Sequence, residues 1–371
     1  MSSSTLLRVS SAAIAGVTSV AAGTTALDHF EDVSKYPRFA SSFEGGERHD
    51  CDTFDGRFRS MLYAFNPMLL LNTDQACSAA QAEIKTLRAR HEAGERLDFS
   101  VSENARLWRA KQMVDAAIHP DTGEFIPRPF RMSGYVPFNG PVAVAMVTST
   151  ATPALLFWHW ANQSQNALVN FYNRNASSPM SNETLAMSYG GAVTAALTMA
   201  FGLSSFINRR FEPARAKQLL RFVAFPTAVT ASSLNCYIVR RPEIADGYKL
   251  FDDHSRCICD TKSSVAAKQG VLETTMSRAL LQCPVYFLPP ALMTTVPMLK
   301  RMAARNPASV VPVTTYLLLV SFGFGLPAAC AVFPRMSSIN TEDLEPDVKL
   351  HLKGASSGGK LPDRVFFNRG M

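Results

Sequence analysis

Five windows in this chain are long and apolar enough to cross a bilayer, at residues 140–162, 185–207, 219–239, 279–299 and 308–333. Four contain no Asp, Glu, Lys or Arg, and the third contains only Arg221. Each runs about twenty residues or more, the length a helix needs to cross a hydrocarbon core of about 30 Å. Backbone in lipid must satisfy its own hydrogen bonds, so such windows require helices. The predicted class is mostly α: a multi-spanning helical membrane protein with about five transmembrane helices, some broken by proline, plus amphipathic helices at the amino end. The fourth window holds Pro284, Pro289, Pro290 and Pro297, and the third holds Pro226. Interior prolines free backbone groups that must find other partners, so broken third and fourth spans are expected to border a polar cavity.

The mean hydropathy of +0.02 averages this apolar part with a polar first part that ends near residue 135. The formal charge of +7 favours anionic lipid over nucleic acid as a partner, since basic residues lie beside the apolar windows and no Arg/Lys run is interleaved with aromatics. The seven cysteines include no CxxC pair and are read as reduced thiols; no metal site and no cofactor are expected.

Four regions are predicted. Residues 1–53 form an extension: Met1 to Leu27 is rich in Ser, Ala and Thr, with Arg8 and no acid before Asp28, which fits either a transit peptide or an uncleaved disordered segment, and a linker follows. Residues 54–138 form a water-facing helical region. Asn72 with Gln75 caps one amphipathic helix that Gly94 ends, and Ser100 with Glu103 caps another that Pro120 stops. Residues 139–335 form the bundle, and residues 336–371 a carboxyl-terminal tail.

The densest polar set lies at the end of the first window. At about 100° per residue, His159, Asn162, Asn166, Asn170 and Asn173 share one helical stripe, with Gln163 beside it. Carboxamides donate and accept hydrogen bonds without net charge, so the stripe suits a zwitterionic solute; an interhelical hydrogen-bond seam is the alternative. Ser232, Ser233 and Asn235 in the third window form a second candidate set, and Arg221 either snorkels to the headgroups or binds a carboxylate. The run His119-Pro120-Asp121-Thr122-Gly123-Glu124 offers an acid–base set or, as its turn residues favour, a helix-terminating loop. A hydrolase is disfavoured because no nucleophile motif such as GxSxG is present, and the chain is not expected to be an enzyme.

Leu107-Trp108-Arg109-Ala110-Lys111 running into His119-Pro120-Asp121-Thr122-Gly123-Glu124 resembles the sideroflexin signature. Arg131-Met132-Ser133, the Phe157 to Asn175 segment around Asn162-Gln163-Ser164, Ala266-Ala267-Lys268-Gln269, Phe333-Pro334-Arg335 and Val365-Phe366-Phe367-Asn368 are similar to further landmarks of that family in the same order. The resemblance implies a multi-pass protein of the mitochondrial inner membrane that carries a small neutral amino acid, serine above all, for one-carbon metabolism. Alanine, glycine and cysteine are the related cargoes. The family's signature positions fall on His119, Pro120, Asp121, Thr122 and Glu124, with a second set at Asn162, Gln163, Ser164 and Asn166. His159 stands where relatives more often have Gln, and Asn66-Pro67-Met68 where they tend to have Asp-Pro-Arg. The alternative is an inner-membrane scaffold that assists respiratory or iron-handling assembly within a membrane-protein complex and moves nothing.

Overall fold

The computed structural model describes residues 3–120, 122–173, 182–252, 257–334, 336–355 and 362–368. From the amino end, α1 (Ser3–His29) leads through short 3-10 turns to α2 (Phe54–Ala64), α3 (Asp74–Glu92) and α4 (Val101–Ala117). Thr53, Thr73 and Ser100 start the last three, each hydroxyl accepting a first-turn N–H. The cap of α3 lies one residue past the expected Asn72, whose amide instead donates to the Leu69 carbonyl. Gly94, at φ +83°, closes that helix.

The membrane part comprises α5 (Gly140–Thr148), α6 (Thr152–Tyr172), α7 (Asn182–Arg210), α8 (Pro213–Leu219) and α9 (Ala224–Asp246). After strands β1 (Tyr248–Phe251) and β2 (Cys257–Ser263) it continues with α10 (Ser264–Gln282), α11 (Leu288–Thr295), α12 (Pro297–Arg305), α13 (Val310–Val320) and α14 (Leu326–Ala331). The chain ends with β3 (Met336–Asn340), α15 (Pro346–Ala355) and β4 (Arg364–Asn368). Four helical runs are long and apolar enough to span: Leu7–His29, Ala186–Arg210, Pro213–Asp246 and Pro307–Ala331. A fifth, Ser264–Thr295, joins Pro297–Arg305 at a 77° bend.

That set differs from the expected five in two ways. The window 140–162 is not one helix: Ser149 and Ala151 are extended, Pro153 opens α6, and α5 alone covers about 13 Å, less than half a bilayer. In its place, α1 is long and apolar enough to be a span, and the expected loose extension is a packed helix. Its Ser and Thr content does not prevent this, because in a helix the hydroxyls bond back to carbonyls one turn earlier, Ser11 to Leu7 and Thr24 to Val20. The third span also departs from expectation. It runs as one apolar span from Pro213 to Asp246 through a 3-10 turn at Leu220–Phe222, and Pro226 is accommodated in the first turn of α9.

Small residues let α1 approach α13 and the turn after it. Gly16 faces Leu319, Gly23 faces Phe324, and Gly323 takes Val20 against its bare Cα. Val20, Val136, Met146, Ala224, Tyr286, Leu318 and Phe322 belong to one core cluster in the middle of the bundle.

The segment from Asp28 to Asp55, expected as a disordered linker, is held by a buried ion cluster. Arg48 reaches Asp28, Glu31 and the Tyr36 hydroxyl, with its guanidinium over the rings of Tyr36 and Tyr63, and Arg59 also pairs with Glu31. Phe39 packs beside Leu107 and Trp108, while Trp108 and Asn104 both donate to the Pro37 carbonyl.

The carboxyl-terminal segment is not a tail. With β1 and β2 it builds an antiparallel sheet of order β2-β1-β4-β3, backed by α15, around Leu250, Ile339, Leu344, Leu352, Val365 and Phe367. Glu345 fastens this unit to the membrane part. Its carboxylate accepts from the Ser263 hydroxyl, the Ser264 hydroxyl and the main-chain N–H groups of Ser264 and Val265, at the start of α10.

Substituting Ala for Gly323 puts a Cβ 2.3 Å from Val20 Cγ2. The expected loss is about 1–3 kcal/mol of stability, seen as a lower melting temperature in detergent, with recovery when Val20→Ala is added. Equal melting temperatures for Gly323→Ala and wild type count against the α1 docking. Burial raises the Glu345 carboxyl, but its hydrogen bonds outweigh that and hold it at about 2 against 4.5 for a free group. The folded value is the lower one, so the contribution is complete above pH 4.5 and disappears as pH falls toward 2. Glu345→Gln is expected to cost about 1 kcal/mol at pH 7, with the gap from wild type closing through that acid window.

Candidate functional site

The amide stripe is carried by α6. The helix ends at Asn173, whose side-chain amide donates to the carbonyls of Val169 and Phe130, and Gln165 donates to the Pro129 carbonyl. The bonds to Phe130 and Pro129 anchor α6 to the segment that precedes α5. Burial changes along the stripe: Leu155, His159, Asn162 and Gln163 are buried, Asn166 is half-buried and Asn170 is exposed.

Within the buried stretch, Asn162 Oδ1 accepts from the Tyr286 hydroxyl at 3.0 Å. Ser164 is within 2.9 Å of the Tyr189 hydroxyl. His159 is different. It is fully buried, and neither ring nitrogen meets a partner among the described residues. Leu155, one turn earlier, clusters with Leu220 and Val223, and Thr227, one turn beyond Val223, is likewise buried with an unpaired hydroxyl. Asn139 Oδ1 is another such atom, and Arg278 Nε on α10 a further one. An unpaired buried polar group costs about 1–3 kcal/mol, so their presence in one bundle calls for a function.

Three π-turns interrupt the bundle, at Tyr135–Asn139, Cys283–Phe287 and Ser321–Gly325, and they converge. The rings of Tyr135 and Phe322 meet edge to face at 5.8 Å, Pro284 closes on Gly325, and Val136, Val285, Tyr286 and Phe322 share the central cluster. A π-turn widens the helix by one residue and reorients side chains, here presenting Tyr286 to Asn162 and ending at Asn139. Of these turns the sequence marked only Pro284; that three irregular turns gather depends on packing between distant segments.

The other candidates are not brought to this place. Ser233 donates to the Thr275 carbonyl on α10 and Asn235 to the Ser188 carbonyl on α7, both at 3.4 Å, so they stitch helices together and make no bond to α6. Ser232 is half-buried. Arg221, in the 3-10 turn joining α8 to α9, is half-buried and has no acid partner among the described residues. The His119–Glu124 run is a tight turn: Glu124 O accepts from His119 N, His119 O accepts from Gly123 N, His119 Nδ1 accepts from Thr122 N, and Gly123 sits at φ +72°. Pro120 ends α4, while Thr122 and Glu124 are exposed. Asp121, Asn175 and Arg335 fall outside the described residues.

Two recesses lie away from His159. One of about 410 Å³ lies among α2, α4 and the 42–49 turn and touches the stripe only at Asn173. The other, about 380 Å³, is an apolar recess between Phe287 and Val332. His159 itself has no exposed surface in this conformation. Among the described residues no three His, Cys, Asp or Glu side chains gather to hold a metal ion.

The family described as Sideroflexins matches residues 45–371. The chain belongs to the sideroflexin family. Sideroflexin-5 of Homo sapiens is 36% identical over 82% of this chain and 88% of its own length. Sideroflexin-5 of Caenorhabditis elegans is 34% identical over 92% of this chain and 99% of its own, and sideroflexin-1 of Ovis aries 32% identical over 87% and 96%. No solved structure matches the chain. In this sideroflexin the amide stripe, the turn at His119 and the three π-turns all lie inside the matched residues, whereas α1 lies ahead of them.

Tyr286→Phe removes the only side-chain donor seen on Asn162 Oδ1 among the described residues and leaves that oxygen buried. The expected cost is about 1–3 kcal/mol in detergent unfolding, and Asn162→Leu in the same background recovers part of it. If Tyr286→Phe is neutral, the pair does not hold α6 against the second π-turn.

Proposed function

We propose that this sideroflexin carries a small neutral amino acid, serine foremost, across the mitochondrial inner membrane in support of one-carbon metabolism. The single observation that carries the reading is the fully buried His159 with both ring nitrogens unpaired, on the same helix face as Asn162 and Gln163. A folded chain that needed only packing would fill this position with an apolar side chain. An imidazole and carboxamides offer donors and acceptors without fixed charge, which complements a zwitterion whose ammonium donates and whose carboxylate accepts. Leu155 and Trp158 on the same helix, and Tyr286 bonded to Asn162, belong to apolar clusters, so a bare ion entering here would lose its hydration without a counter-charge.

Entry of a solute to His159 requires the bundle to open. The three π-turns and the 77° bend between α11 and α12 supply places where helices change direction without losing their other hydrogen bonds. Family membership supports a carrier role, and serine as cargo rests on the uncharged lining together with the resemblance of the signature residues. His119 lies in a turn held by its own main chain, which supports a structural role for the signature motif.

Purified protein in liposomes is expected to take up labelled serine above the level of empty liposomes, with alanine and glycine competing and glutamate and lysine not. His159→Leu is expected to keep or raise the melting temperature, since it removes unpaired polar atoms, while lowering uptake about fivefold or more. Absence of uptake by well-folded protein would favour a scaffold that assists the assembly of other membrane machinery.

A further inference from the structure

Positive charge is concentrated at one end of the bundle. Two residues separate α7 from α8, so the span made of α8 and α9 returns antiparallel to α7, and the β1–β2 hairpin sends α10 and α11 back again. α12 therefore lies at the same end as the α7–α8 turn. The start of α1 joins them, because Gly16 faces Leu319 and Gly23 faces Phe324, which sets α1 parallel to α13. Residues 3–10, 208–219 and 296–309 make up this end, and they hold eight bases but only one of the chain's 30 acids, Glu212.

Arg8, Arg209, Arg210, Arg215 and Lys217 are exposed, as are Lys300, Arg301 and Arg305 of α12, and none of the eight makes an ion pair among the described residues. The opposite end differs: there Arg48, Arg59, Arg109 and Arg240 are paired with acids of the chain itself. α12 also differs from the spans in direction and pattern. It turns 77° from the run Ser264–Thr295, so it lies along the membrane surface if that run crosses it, and its nine residues cover about 13 Å. Leu299, Met302 and Ala303 fall on one side and are half-buried, whereas Lys300, Arg301, Ala304 and Arg305 share the other and are exposed. Met298, at the boundary, is 76% exposed. Such a helix sets its apolar edge against acyl chains and its bases among headgroups. The α7–α8 turn repeats the pairing, with the Arg215 guanidinium 5.1 Å from the centre of the Phe211 ring and Phe206 exposed nearby.

We propose that this end of the bundle is a docking surface for anionic phospholipid, with α12 lying in the headgroup plane and Lys300, Arg301 and Arg305 reaching phosphate oxygens. A zwitterionic lipid carries its own ammonium beside its phosphate, so bases that the chain leaves unpaired favour headgroups with net negative charge. The inference rests on which segments span and where their ends fall, and is independent of what the protein carries.

The full chain in nanodiscs of phosphatidylglycerol and phosphatidylcholine in equal parts, released gently and weighed by native mass spectrometry, is expected to retain the anionic lipid over the zwitterionic one by about fivefold or more. Lys300→Gln, Arg301→Gln and Arg305→Gln together are expected to bring the ratio close to that supplied, with the melting temperature unchanged because all three side chains are exposed. Lys85→Gln, Arg88→Gln and Lys249→Gln, exposed bases at the other end, should leave the ratio as in wild type. Should the α12 variant fail to fold, Arg209→Gln with Arg210→Gln replaces it and is expected to lower the ratio about twofold or more. No preference in wild type, preference kept in the variant tested, or equal loss in the Lys85, Arg88 and Lys249 control would each overturn the inference. Displacement of the retained lipid by inorganic phosphate would overturn it too, assigning these bases to a soluble anion. The readout involves no transport, so failed serine uptake with lipid preference intact sinks only the carrier reading, and the reverse result sinks only this one.

Discussion

Every buried polar group in an apolar medium must find its partner inside the protein, and this constraint organises the whole chain. It makes the spanning segments helical and turns the hydroxyls of Ser11, Thr24, Thr230 and Thr315 back onto carbonyls one turn away. It also explains where charge is buried. Arg57 reaches from α2 to the Ala331 carbonyl at the end of α14, where the helix has no further N–H of its own to offer. Glu345 does the converse at the start of α10. Against so complete an accounting, the unpaired atoms of His159, Thr227 and Asn139 stand out as places where packing alone gives no reason for polarity.

The amino-terminal helix gives the bundle a different shape from the one its later windows imply. α1 lies on α13 and the turn after it because Gly16, Gly23 and Gly323 remove side chains at the contact, so two helices approach to van der Waals distance without a hydrophobic driving force between them. Its carboxyl end delivers Asp28 to Arg48 and Arg109, which couples α1 to the layer of α2–α4. The Arg48 guanidinium lies over the rings of Tyr36 and Tyr63, and this cation–π contact strengthens the ion cluster.

Much of the site follows from segments that are far apart in sequence. Tyr286 comes to Asn162 across 124 positions, and the three π-turns meet from three regions of the chain. Ser233 and Asn235, placed beside the stripe by their depth alone, face α10 and α7, because their position around α9 points them there.

The sequence by itself determined the helical membrane class, four of the span positions, the capping of α4, the end of α3 at Gly94 and the one-sided stripe on α6, since charge-free length, capping chemistry and a 3.6-residue period act locally. Tertiary structure alone decided that Ser149 to Ala151 divides the first window, that the Ser-rich amino end is a docked helix, and that Tyr248–Phe251 pairs with Arg364–Asn368 in one sheet. Those outcomes depend on what lies across the contact. A glycine opposite Val20, a strand edge opposite Phe366 and the absence of any partner for His159 are properties of pairs in space, and no window of sequence contains them.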